Sequence, residues 1–270
     1  KQKTAYEISL GLVGSEMCIR DRLFIGSMVG LVLAGHLVLL YLFWEGVGLC
    51  SCLLIAHWCE RPEAARAGVK AFVVTRFGDF ALLTAIALLY LNVGSLDYPS
   101  VAQAMGTLSP SVLNSILLLA LGGAIGKSAQ VPLHIWLPDA MEGPTSVSAL
   151  IHAATMVKAG VYMVARMGTL AIQYGGVPAY VTSQFLNAVL LVGSITAFLA
   201  ATMALVAFDL KRVLAYSTIS QLGYMFAGLG LILYAGVEHS LWSSLYHLTS
   251  HAVFKAVSYT HLTLPTTERV

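Results

Sequence analysis

His247, His251 and Lys255 recur every fourth residue, which at about 100° per residue keeps all three on one stripe of a single helix. A row of titratable groups at that spacing resembles a proton relay, since histidine exchanges protons near neutral pH. Glu45 stands alone in Tyr41-Leu42-Phe43-Trp44-Glu45-Gly46-Val47-Gly48-Leu49, with no other acid, lysine or arginine between Leu23 and Cys59. Its proton affinity depends on whether a cation lies close, so it reads either as a proton-exchanging group or as half of a static ion pair. Lys127 closes Gly122-Gly123-Ala124-Ile125-Gly126-Lys127-Ser128, which superficially resembles a phosphate-binding loop. That motif requires glycine at 121, where Leu121 stands, and no soluble strand precedes it. Pro132, Pro138 and Pro144 follow Lys127. Each removes a backbone donor, so a helix ending near Lys127 should be broken, with a short irregular piece held inside the protein. An ammonium beside such a break would sit among freed carbonyls and water, where it can carry a proton.

Other ionisable groups read less sharply. The pair His247 and His251 could bind a metal or a haem, but no acidic or cysteine ligand is obvious nearby in sequence, and polar packing between helices accounts for them as well. His152 lies among small residues that let helices approach closely, which favours a structural histidine as much as a functional one. Lys158, six residues later, should point about 240° away from His152 on a continuous helix. Arg76 and Asp79, three apart, can pair on one helix face and neutralise each other. Cys18, Cys50, Cys52 and Cys59 suggest neither a disulfide framework nor a metal cage.

The elements that must hold these groups are set by composition. Hydrophobic residues make up 58% of the chain and charged residues 10%, against roughly 25% charged in a soluble domain. With a mean hydropathy of +0.80, the apolar surface exceeds what one compact soluble core hides, so the chain reads as an integral membrane protein. A formal charge of +2 with no long basic run gives no reason to expect nucleic acid as a partner. Apolar runs at 23–35, 37–58, 69–93, 112–129, 146–167, 184–208, 213–234 and 240–256 suggest about eight spans. Their period is helical or featureless, so the fold is expected to be an all-α polytopic transmembrane bundle with a broken helix at 127–144. Arg61, Arg66, Lys70, Lys211 and Arg212 cluster in the connections at 59–70 and 209–213, which the positive-inside rule places on the cytoplasmic side, opposite Asp97 and Glu238.

The ends differ from the middle. Residues 17–22 can be encoded by a string whose reverse complement, in another frame, reads Val-Ser-Tyr-Thr-His, and that pentapeptide stands at 257–261. The string resembles a transposon end used in preparing sequencing libraries. Residues 1–22 and 257–270 are therefore expected to be translated adapter, leaving 23–256 as a transmembrane domain truncated on both sides.

The strings FWEGVGLCS at 43–51, GKSAQ at 126–130, LHIWLPDAMEGPT at 133–145, ALIHAATMV at 149–157, DLKRVLAYSTISQLGY at 209–224 and HAVFKA at 251–256 resemble the antiporter-like, proton-translocating membrane subunits of respiratory complex I (NADH–quinone oxidoreductase), most closely the L-type. The resemblance covers nearly all of 23–256 and is highly specific. It implies inverted helix repeats, a proton pathway through Glu45, Lys127, His152, His247, His251 and Lys255 with Asp79 and Lys158 in support, and a switching ion pair between Glu45 and Lys127. It implies partners in the form of other membrane subunits, lipid and protons, no redox cofactor or metal in this chain, and residence in a bacterial or archaeal plasma membrane, or in an inner mitochondrial or thylakoid membrane. Two departures stand out: Ser146 replaces the proline usual after Gly-Pro-Thr, and Lys158 stands where several L-type members have threonine. Since Lys158 also occurs in related antiporter subunits, the large subunit of a sodium/proton antiporter is the nearest alternative. A haem-binding electron carrier using His152, His247 or His251 is a more distant one.

Overall fold

The computed structural model describes residues 5–153, 155–173, 179–235 and 237–267, and no strand forms among them. The helices are α1 (Ala5–Leu33), α2 (Leu37–Ile55), α3 (Pro62–Val93), α4 (Tyr98–Met105), α5 (Pro110–Lys127), α6 (Thr145–Ala153), α7 (Met156–Gln173), α8 (Ala179–Leu205), α9 (Leu210–Gly230), α10 (Ile232–Ala235) and α11 (Val237–Thr267). Local chemistry sets their ends. Pro62 and Pro110 open α3 and α5, where a missing N–H costs nothing. The Asp97 and Asp209 carboxylates cap α4 and α9 by accepting from Ser100 N at 3.1 Å and Lys211 N at 2.9 Å. Gly94, at φ +77°, closes α3 in the left-handed conformation that glycine adopts freely.

Five stretches among the described residues are helical, long and apolar enough to cross a membrane: Leu37–Ile55, Pro62–Val93, Pro110–Lys127, Thr145–Ile172 and Ala179–Leu205. The expected eight is therefore not the number these criteria return. Of the three runs not among these five, the one at 23–35 is shorter than a span, and α9 and α11 carry hydroxyls that bond across the bundle: Ser220 Oγ donates to Ala197 O at 2.9 Å and Ser244 Oγ to Met225 O at 3.3 Å. Helices that satisfy polar groups on one another read as less apolar than helices facing lipid. Lipid-type faces are plain elsewhere, with Phe77, Phe198 and Leu91 at least 70% exposed. At the N-terminus the first helix does not start at 23 but is continuous from Ala5.

The expected break after Lys127 is present, with a different cause at its start. Ala129, at φ +47°, turns the chain three residues before the first proline, and Gln130 N bonds back to Ile125 O at 3.0 Å, as in helices that end in a left-handed residue. Two short 3-10 turns, Leu133–Trp136 and Asp139–Glu142, carry the chain to α6. The Trp136 indole donates to the freed Gly126 carbonyl at 3.1 Å, so a side chain rather than water satisfies that group. The single span expected at 146–167 is instead interrupted between α6 and α7.

Lys70 pairs with Asp139 at 2.6 Å and Arg212 with Glu142 at 3.8 Å, so both basic connections meet the same irregular segment at one end of the bundle. At the opposite end, Leu37 N donates to Leu96 O at 2.9 Å, and His36 bridges Asp97. This agrees with the sidedness read from the charges. Inside, α5 packs between α3 and α7, and α11 lies on α6 and α9. The α3–α5 approach is nearly backbone to backbone. A Cβ on Gly78 would come within 2.9 Å of Gly122 O and 3.0 Å of Gly126 Cα, so only glycine lets the two axes come this close.

Candidate functional site

That close approach sets Asp79 of α3 beside Lys127 at the end of α5. Lys127 Nζ lies 3.1 Å from Asp79 Oδ2, and both residues are almost fully buried. The other carboxylate oxygen, Asp79 Oδ1, accepts the Trp44 indole N–H at 2.6 Å. The Lys127 ammonium also stands 5.9 Å from the centre of the Trp44 ring, within reach of a cation–π attraction. Gly48, one turn after Trp44 on α2, leaves the space that Lys127 Nζ fills, because a Cβ there would overlap the ammonium. Glu45, next to Trp44, pairs with Arg76.

The pairing expected from sequence is thus exchanged. Glu45 meets Arg76 rather than Lys127, and Asp79 meets Lys127 rather than Arg76. The physical cause is the glycine seam, which brings α5 against the Asp79 face of α3 and leaves Arg76, one turn earlier, to face α2. Replacing Gly48 with Ala should displace the ammonium by about an ångström while keeping α2 helical. The overpacked contact should cost about 1–3 kcal/mol of stability, measured as a lower unfolding temperature of the variant in detergent.

A second cluster lies between α6, α7 and α11. Lys158 Nζ is 2.6 Å from His251 Nδ1. His247 Nε2 is 2.7 Å from Gln221 Oε1 on α9, and the His247 and His251 rings are 6.2 Å apart, centre to centre. Lys255 Nζ donates to Leu214 O at 3.0 Å. His152 is fully buried with neither ring nitrogen bonded, and its ring lies 5.4 Å from that of Tyr259. Lys158 and Lys255 are buried, and among the described residues no carboxylate stands within ion-pair distance of either.

The α11 stripe of His247, His251 and Lys255 is as its spacing requires. Lys158 is not turned away from it, because the helix does not run straight from His152 to Lys158. The interruption resets the rotation, so α6 brings His152 and α7 brings Lys158 against the same helix, α11. The two clusters are joined where Ser128, next to Lys127, donates its hydroxyl to Val157 O, next to Lys158, at 2.7 Å.

Residues 34–266 match the family described as NADH:quinone oxidoreductase/Mrp antiporter, transmembrane. The chain belongs to this family. Among curated members, the NAD(P)H-quinone oxidoreductase chain 5 of Synechocystis sp. is 48% identical over 241 residues, covering 87% of this chain and 33% of that protein. The chloroplastic subunit 5 of Nephroselmis olivacea is 49% identical over 241 residues, covering 87% of this chain and 35% of that protein. The chain therefore spans about a third of the length of these members. Among solved structures, the Mrp complex of Dietzia sp. DQ12-45-1b matches with a TM-score of 0.78 and 38% identity over 88% of this chain and 25% of that one. An archaeal membrane-bound sulfane sulfur reductase matches at 0.79 and 27% identity, over 88% of this chain and 47% of that one. The chain is accordingly an integral membrane, antiporter-like segment of the family.

Sequence reasoning missed Trp44 as a partner of Asp79, Arg76 as the partner of Glu45, and Gln221 as the partner of His247. The nearest signal was the adjacency of Trp44 and Glu45 on one helix and of Arg76 and Asp79 one turn apart on another. Tyr259 is buried against His152 and Met141, within the segment expected to be adapter-derived.

Proposed function

We propose that this chain is the proton-translocating part of an L-type membrane subunit in a complex that couples quinone reduction to proton transport. The observation that carries the reading is the pairing of two buried cation clusters inside an apolar bundle. Lys127 is held by Asp79, and Lys158 contacts His251 in a cluster whose two lysines have no carboxylate at hand. A buried charge in a membrane costs roughly 3 kcal/mol on insertion scales. Retaining several of them in contact favours groups that exchange protons over groups that merely pack. The identity of 48–49% to quinone oxidoreductase subunits, against 38% to the Mrp chain, favours redox-driven pumping over sodium/proton antiport.

On this reading the proton passes between carboxylate-held Lys127 and the Lys158–His251 cluster, which adjoin where Ser128 meets Val157, with Glu45 and Arg76 setting the field beside Trp44. The chain itself binds no redox group, and the electrons move in other subunits.

The test uses the full-length subunit in its assembled complex, in sealed membrane vesicles. With Lys127→Ala or Glu45→Ala, proton uptake driven by quinone reduction should fall severely, by about tenfold or more for loss of a required proton carrier. Unchanged uptake at normal subunit content would leave only a scaffold role and would sink the reading.

A further inference from the structure

Trp44 is fully buried, and its indole N–H is committed to one oxygen of Asp79 while Lys127 holds the other. Its ring also faces the Lys127 ammonium, and the next residue on the same helix, Glu45, holds Arg76. Four charges from three helices therefore form two separate pairs, and the one uncharged side chain bonded to the inner pair is attached, through a single peptide unit, to the outer one. Neighbouring residues on a helix move as a rigid unit, since each is fixed by its own backbone bonds. A rigid shift of α2 that draws Glu45 off Arg76 also moves the indole relative to Asp79. A shift that does neither leaves both pairs closed.

We infer that Trp44 is a positioning residue that couples the Glu45–Arg76 pair to the Asp79–Lys127 pair, so that the two open and close together. This rests on the proton-transfer reading above and deepens it. The indole N–H fixes which oxygen of Asp79 faces Lys127. A hydrogen bond from a neutral donor to a buried carboxylate is strong, and leaving that carboxylate oxygen without a donor is costly. Phenylalanine keeps most of the ring in its slot but donates nothing, so Trp44→Phe removes the coupling without emptying the space.

The experiment places Trp44→Phe, Glu45→Gln and the double variant in the full-length subunit of the assembled complex. It measures proton uptake together with quinone reduction across a range of pH. Trp44→Phe should lower uptake roughly tenfold, the scale of one such hydrogen bond, and should shift the pH profile of uptake. In the Glu45→Gln background, where the outer pair is already broken, it should have little further effect, because its action joins that pair to the inner one. If Trp44→Phe lowers uptake equally in both backgrounds, or leaves the pH profile in place, Trp44 only fills space and the inference is wrong. Should Trp44→Phe fail to assemble, replacing the indole with benzothiophene, which swaps N–H for sulfur in the same shape, asks the same question with the same two outcomes. Lys127→Ala serves as the reference. If it leaves uptake intact, the proton-transfer reading itself has failed; if it abolishes uptake while Trp44→Phe behaves as wild type, only the coupling by Trp44 has failed.

Discussion

If the proposed proton transfer holds, proton uptake by the assembled complex should be lost when Asp79 is replaced by Asn, and more completely than when Glu45 is replaced by Gln. Asp79 is 1% exposed, and each of its oxygens holds a partner, Trp44 on one side and Lys127 on the other. Asn keeps the shape but cannot ionise, so the ammonium of Lys127 is left at depth without its anion. Removing one member of a buried pair typically costs about 3–5 kcal/mol, which corresponds to a population change of more than a hundredfold. The pair can then no longer alternate. Glu45 is less enclosed, with 19% of its side chain exposed and a partner, Arg76, 38% exposed, and it holds neither Asp79 nor Lys127 directly, so its loss leaves no ammonium of the inner pair without its anion. Vesicle proton uptake normalised to subunit content, measured for both variants side by side, decides the order. Equal uptake in Asp79→Asn and wild type would show that Lys127 does not depend on this carboxylate.

Replacing Lys158 with Met should also lower uptake strongly. Met matches the length of the lysine stem and fills the same apolar channel, so the bundle should persist while the contact to His251 disappears. Lys158 Nζ, on α7, lies 2.6 Å from His251 of the α11 row. Without it, uptake should fall on the order of tenfold, and His251→Ala should add little in the Lys158→Met background, because residues that act through one contact are not additive. Lys158→Thr, the residue several L-type members carry, should recover little in this chain, since threonine is too short to reach across to α11. Full uptake in Lys158→Met, with additive loss on His251→Ala, would assign the transfer to His152 and Lys255 without α7.

The contrast between Asp79 and Glu45 also marks what could be read in advance. Hydropathy is local and one-dimensional, so the apolar runs at 37–58, 69–93, 112–129 and 184–208 were legible as spans, and the prolines after Lys127 as a break. Spacing along one helix is equally local, so His247, His251 and Lys255 declared their common stripe without any tertiary information. The interruption between Ala153 and Met156 gave no comparable sign, since the residues there include neither glycine nor proline. The sequence therefore reads as one continuous helix, which turns Lys158 away from the side it occupies in the fold.

By itself, the sequence determined that this is an all-helical membrane segment, which ionisable groups lie within it, and which of them share a helix face. Only the tertiary structure decided which charge meets which. That choice depends on the rotation and separation of helices far apart in sequence, here fixed by glycines at 48, 78 and 126 that carry no charge and no hydrophobic signal of their own. Where backbones touch, Asp79 reaches Lys127; one turn away, Arg76 is left to Glu45, and no pattern along the chain encodes that difference.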